Sequence, residues 1–245
     1  MEEEENPFWW DANHVLLPYC SSDSWSGDRV AVNPGEFSFM GSRILEQVLL
    51  ELLPRGLQEA ELLVLAGSSA GAAGVLVNLD NVSDLMARSG SQVKVRGIAD
   101  SGWFLDNKPY RRGRHDPPAS VLCETSPHSC PPVEAIKLGI DFWRGSVPSA
   151  CAVRFPGQEW KCYFGYRIYP TLKTPVFIVQ WVFDEAQMTV DNVGNPVTRA
   201  QWKYIHRMGQ ELRRTLENVT SLFAPSCVSH TLLTKRLVIT FLYCI

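Results

Sequence analysis

Residues Gly67-Ser68-Ser69-Ala70-Gly71 fit the pattern G-x-S-x-G, in which a serine sits on a strand-to-helix turn too sharp for large neighbours. Such a turn exposes Ser69 Oγ at a helix amino terminus, where the Ala70 backbone N–H and the helix dipole can face the oxyanion of a tetrahedral intermediate. A neutral serine hydroxyl is a poor nucleophile, so acyl transfer also needs a histidine base and a carboxylate that fixes the base's tautomer. Where this turn carries the nucleophile, the acid and then the histidine follow it along the chain. Of the five histidines, His115, His128, His206 and His230 follow Ser69. His206 falls inside a helical pattern, and His115 and His128 precede the best acid. His230 stands in a loop after the last long helix and is the expected base. Two strand-end aspartates compete for the acid, Asp100 and Asp184. Asp184, on the last clear strand before the histidine loop, is preferred, although both positions are geometrically suitable. Each has an ordinary alternative role as the cap of the turn or helix that follows it.

Other chemistries lack their residues. The histidines show no H-x-x-x-H or H-x-H and the cysteines no C-x2-C, so no metal site is expected. There is no G-x-G-x-x-G and no Walker sequence, so no cofactor is expected either. A net charge of -3 without a basic block sets nucleic acid aside. Trp103, Phe104, Tyr163, Phe164 and Phe183 lie near the elements above; they suit either an acyl pocket or the core.

The elements that must position these residues follow from periodicity. At 245 residues and 45% apolar content, the chain is expected to form a single α/β domain over residues 1–245, with a largely parallel sheet. Strands are predicted at His14–Tyr19, Leu62–Ala66, Val93–Ala99 and Pro175–Val182. Helices are predicted from Ile44 to Leu53, where Pro54 and Gly56 stop the pattern, from Ala72 to Ala87 and from Pro196 to Asn218. Between them, residues 101–169 read as an irregular insertion or lid with one helix at Pro132–Arg144. The apolar run Leu237–Ile245 is far shorter than the roughly twenty residues of a membrane helix, so no transmembrane segment is expected.

Seven cysteines point to an oxidising compartment, with local bridges Cys123–Cys130 and Cys151–Cys162 as the first expectation and at least one thiol left over. The tripeptides beginning at Asn81 and Asn218 match the glycan acceptor pattern. The start, Met1 to Asn6, is acidic and lacks the basic and apolar regions of a secretory leader.

Several runs carry a more specific likeness. Asn6-Pro7-Phe8-Trp9-Trp10, Pro18-Tyr19-Cys20-Ser21-Ser22-Asp23, the serine turn, Asp100-Ser101-Gly102-Trp103-Phe104-Leu105-Asp106-Asn107, Tyr169-Pro170-Thr171-Leu172 and Gln180-Trp181 through Phe183-Asp184-Glu185-Ala186-Gln187 closely resemble the Notum-type palmitoleoyl-protein carboxylesterases. A more distant resemblance is to the pectin acetylesterases. The resemblance runs from about residue 6 to about residue 230 and implies an α/β-hydrolase fold without metal or cofactor. It implies a secreted enzyme that removes palmitoleate from a serine of Wnt proteins and so inhibits Wnt signalling, with glycosaminoglycan or glypican as a further partner. It also resolves the acid in favour of Asp184, with Ser69 as nucleophile and His230 as base. Its acyl pocket falls on Phe104, Tyr163, Phe164, Ala186 and Val190.

The chain departs from the family in three respects. It contains no Gly-Gly, whereas the family completes its oxyanion hole from a Gly-Gly-Trp segment; early sheet strands are likewise expected to be missing, and one lost donor costs about 10²- to 10³-fold in rate. Residues after His230 do not resemble the family. Partners of Cys20 and Cys227 are therefore expected outside the chain. Two rival functions follow: a catalytically impaired relative that only binds acylated ligand, and a carbohydrate O-acetyl esterase.

Overall fold

In the computed structural model, residues 3–4, 6–110, 123 and 130–233 are described. His115, His128 and the run Leu237–Ile245 lie outside them. Four parallel strands form the main sheet, β1 (Leu62–Ser68), β2 (Lys94–Asp100), β3 (Val176–Val179) and β5 (Leu222–Phe223), in the order β1-β2-β3-β5. Register pairs Ser68 with Asp100, Asp100 with Val179, and Val179 with Phe223. The four strands thus end level, and their carboxyl ends share one edge, where open α/β sheets place their ligands. A second, two-stranded sheet joins β4 (Phe183–Asp184) to β6 (Val228–Ser229) with Asp184 opposite Ser229.

Helix α1 (Gly41–Leu52) turns its Leu45 and Leu49 into the core. Helix α2 (Ala70–Arg88) follows β1 without a connecting loop and is apolar on most sides, with Ala72, Val75, Leu76, Val77, Leu79, Val82 and Met86 all buried. A helix of that composition must be covered on several faces; strands β1 and β2 lie against it, and the buried Trp25 packs on its Gly74. The loop carrying Trp25 is held by Asp23, a fully buried carboxylate that accepts the Trp25, Gly27 and Gly41 N–H groups.

Residues 101–169 hold more helix than the sequence pattern suggests. Helix α3 (Pro132–Phe142) is the expected one. It is followed by α4 (Ser149–Arg154), a 3-10 turn at Glu159–Tyr163 and α5 (Gly165–Ile168), which are single turns too short to show periodicity. Both expected disulfides form, Cys123–Cys130 and Cys151–Cys162. Cys227 is also disulfide-bonded, which overturns the expectation that its partner lies outside the chain. Cys20 is an exposed free thiol.

Two strand expectations change. Residues 13–20 form no strand: the backbone has no ladder partner among the described residues, and Val15 and Leu16 are 53% and 89% exposed. A short apolar run does not make a strand without a neighbour to accept its N–H groups. The expected strand Pro175–Val182 ends at Val179, the buried Gln180 side-chain amide bonding Trp103 and Asp184 beyond it, and the chain resumes as β4. Beyond it lie α6 (Glu185–Val190), which the sequence pattern did not reveal, and α7 (Arg199–Leu216), opened by a Thr198–Gln201 capping box. Asn81 and Asn218 are both exposed.

Leu79 is fully buried between α2 and the sheet. Leu79→Ala should cost about 2–5 kcal/mol, read as a lower urea midpoint at unchanged slope.

Candidate active site

The site is built on the β1–α2 junction. Ser69 adopts φ 57° and ψ -118°, a conformation that costs a non-glycine residue about 1–3 kcal/mol. It is held from both sides: its N–H donates to the Asp100 carbonyl at 2.8 Å, and its own carbonyl accepts the Ala72 and Ala73 N–H groups that start α2. A Cβ at Gly67 would run into the Gly71 carbonyl, so the glycine lets the helix fold back against the strand. Gly71 is different: a Cβ there meets open space, which corrects the expectation that both flanking glycines are needed to avoid a clash. Ala70 is the first residue of α2, so its N–H has no carbonyl partner within the helix.

The β4–β6 pairing brings the other two residues to this turn. His230 directly follows β6, and Asp184 ends β4 opposite Ser229. His230 Nε2 lies 2.8 Å from Ser69 Oγ, and Nδ1 lies 2.9 Å from Asp184 Oδ2. The order of partners sets the tautomer: Nδ1–H donates to the carboxylate, leaving Nε2 to accept the serine proton. The Asp184 side chain is 3% exposed and that of His230 22%, so the carboxylate is dry while the imidazole is partly exposed. Of the two described histidines downstream of Ser69, His230 reaches it, whereas His206 packs edge-on against Phe183.

Asp184 also caps α6, accepting the Gln187 N–H at 3.0 Å on Oδ1, and accepts from Gln180 Nε2 at 3.3 Å on Oδ2. The capping and acid roles that competed in the sequence are compatible, because the carboxylate has two oxygens. Gln180 and Gln187 lie in a run that carries the family resemblance, but have no role predicted from the sequence. The spacing Asp184-x-x-Gln187 is a capping pattern that could have revealed the second. The His230 pKa is raised above its ordinary value of 6.5, chiefly by the hydrogen bond to Asp184, with the charges of Asp184, Asp100 and Glu185 adding to it and partial burial opposing.

Asp100, the rival acid, makes no hydrogen bond to His230. It is fully buried and accepts from Ser68 Oγ, Ser101 Oγ and the Leu232 and Leu233 N–H groups.

Of the five residues expected to form acyl walls, Tyr163 and Phe164 are buried. Phe104, Ala186 and Val190 are half-buried, the last two on α6 immediately after Asp184. The Tyr163 hydroxyl lies 2.6 Å from Ser26 Oγ and accepts from Trp143 Nε1, so its polar end is already engaged. Trp103 and Phe183 are core residues instead. Trp103 donates its indole N–H to Thr215, and Phe183 packs against Gly209 of α7. Among the described residues no cluster of three His, Cys, Asp or Glu side chains could hold a metal ion. No described helix is long and apolar enough to cross a membrane.

The family model described as pectinacetylesterase matches residues 1–240. The chain belongs to that family. Among curated members, it is 51% identical over 237 residues to palmitoleoyl-protein carboxylesterase notum1a of Danio rerio, covering 95% of this chain and 46% of that protein. It is 52% identical over 239 residues to palmitoleoyl-protein carboxylesterase NOTUM of Mus musculus, covering 96% and 46%. The crystal structure of the Wnt deacylase Notum from Drosophila superposes with a TM-score of 0.85 at 49% identity, over 96% of this chain and 65% of that one. The fold is therefore α/β-hydrolase-like. This pectinacetylesterase-family chain spans about half the length of the curated relatives it matches.

Two outcomes follow from the geometry. Gly67→Ala should destabilise the fold by about 1–3 kcal/mol through overpacking, whereas Gly71→Ala should be near neutral, both read by urea unfolding. A histidine NMR titration should place His230 above 6.5, and Asp184→Asn should lower it. Because the folded state favours the protonated ring, this group stabilises the fold below the unfolded pKa, and the contribution fades as pH rises through the folded one.

Proposed function

We propose that the chain is a serine carboxylesterase that removes a long-chain acyl group, palmitoleate, from a serine of a secreted Wnt protein. The observation that carries this reading is the unbroken hydrogen-bonded series Ser69–His230–Asp184 at the carboxyl edge of the sheet. In the first step His230 Nε2 takes the Ser69 proton as Oγ attacks the ester carbonyl. The oxyanion that forms is met by the Ala70 N–H and the amino end of α2; one such donor supports about 10²- to 10³-fold in rate. Asp184 stays ionised and stabilises the imidazolium. Proton return to the leaving serine oxygen of the substrate releases the deacylated protein and leaves an acyl-enzyme on Ser69. Water, deprotonated by His230, then attacks the acyl carbonyl; the fatty acid leaves as the Ser69 C–O bond breaks and Oγ takes the proton back from His230.

Phe104, Tyr163, Phe164, Ala186 and Val190 supply apolar walls for the acyl chain, with the Tyr163 hydroxyl turned to Ser26 rather than left free. The relatives' names, palmitoleoyl-protein carboxylesterase and Wnt deacylase, support the substrate class. Secretion is supported by the disulfides and by the exposure of Asn81 and Asn218. A second reading, a carbohydrate O-acetyl esterase, is favoured by the description of the family itself.

A fluorophosphonate probe, which reacts covalently with an activated serine, should label the chain, and Ser69→Ala and His230→Ala should abolish labelling. Labelling should rise with pH through a midpoint above the ordinary imidazole value, because His230 must be neutral to accept the proton. Absence of labelling in a chain shown to be folded would leave a ligand-binding relative. With chromogenic esters, octanoate should be preferred to acetate; the reverse preference would select the O-acetyl esterase.

A further inference from the structure

We propose that Asp100 is a positioning residue whose buried carboxylate locks the loop after His230 to the turn that carries Ser69, keeping base and nucleophile at hydrogen-bond distance. The proposal rests on reading Ser69 and His230 as nucleophile and base. Asp100 ends β2, level with Ser68 in the sheet. On one side it holds the serine turn, through Ser68 Oγ–H to its Oδ2 at 2.9 Å and the Ser69 N–H to its backbone carbonyl at 2.8 Å. On the other it holds the histidine loop. The Leu232 and Leu233 N–H groups donate to the same Oδ2 at 2.7 and 2.9 Å. The Thr231 N–H donates to Ser101 Oγ at 3.0 Å, and Ser101 Oγ–H in turn donates to Asp100 Oδ1 at 2.9 Å. Three consecutive N–H groups after His230 therefore converge on one carboxylate, directly or through one hydroxyl.

Nothing local would build that loop. Strand β6 is two residues long and ends just before His230, and Thr231 lies at φ 58°, a left-handed conformation unfavourable for a β-branched side chain. The turn is thus imposed by its anchor rather than by its own preferences. The Asp100 partners named here are N–H and O–H donors, each of which needs an acceptor oxygen. The Asp100 charge also faces the His230 ring, alongside those of Asp184 and Glu185.

The test measures fluorophosphonate labelling rate against probe concentration and pH for the parent chain, Ser69→Ala, Asp100→Ala, Asp100→Asn and Ser101→Ala, with folding checked by near-ultraviolet circular dichroism. Asp100→Ala should slow maximal labelling about 10- to 100-fold, the loss expected when reacting groups are misplaced by about 1 Å, with half-saturating probe concentration unchanged. Asp100→Asn keeps an acceptor oxygen and should recover most of the rate, while lowering the pH midpoint because one negative charge facing His230 is gone. Ser101→Ala, which releases only the Thr231 anchor, should fall between Asp100→Ala and the parent; it tests the loop independently if Asp100→Ala does not fold. Folded Asp100→Ala and Ser101→Ala that label at the parental rate, with the parental pH midpoint, would overturn the positioning role and leave the nucleophile–base reading intact. A folded parent without Ser69-dependent labelling would overturn both.

Discussion

The backbone at Ser69 is the constraint on which the rest of the site depends. A left-handed residue between a strand and a helix forms only if the helix can fold back against the strand, and Gly67 provides that room by admitting the Gly71 carbonyl. Once the turn exists, Ser69 Oγ projects beyond the sheet, the first N–H of α2 points outward, and the serine amide is free to donate across to the Asp100 carbonyl. The strain is sustained because α2 is buried on most of its sides and cannot move without emptying the core around Leu76 and Leu79. Packing energy far from the site thus maintains an unfavourable backbone within it.

Polar groups at the strand ends complete the arrangement. Sheets stop where backbone pairing stops, and the groups left over need partners. Here buried side chains supply them: Gln180 and Gln187 bond the segment around Trp103 and Leu105, Asp184 caps α6, and Asp100 gathers donors from two loops. Each of these side chains is at most 4% exposed, so a missing partner would leave an unpaired group without water to replace it, at about 1–3 kcal/mol. The same bonds that satisfy the strand ends also bring together Ser69, Asp184 and His230, which are far apart in the chain.

Much of this was legible in the chain itself. The helical periodicities of α1, α2 and α7, the short apolar runs of β1 and β2, and the placement of a histidine in a loop after the last long helix all survive in the structure, because each is a local pattern with one stable outcome. The two nearby cysteine pairs are also local, and both are bridged. The His14–Tyr19 segment looks like a strand by the same criterion but has no partner, and pairing is a property of the neighbour rather than of the segment. Helices of a single turn between Ser149 and Ile168 carry no period to read.

What the sequence by itself determined is the chemistry on offer: a serine in a small-residue turn, one well-placed histidine, two strand-end aspartates, and no set of residues spaced for a metal. Chain order favoured Asp184 without excluding Asp100, since both end strands. Tertiary structure decided, through sheet register. Asp184 sits on a separate short strand paired with β6, which carries it to His230, whereas Asp100 is level with Ser68 and faces backbone donors of the loop beyond. The difference is a matter of which strand lies beside which, and hydrogen bonds between residues 46 and 133 positions apart leave no local trace.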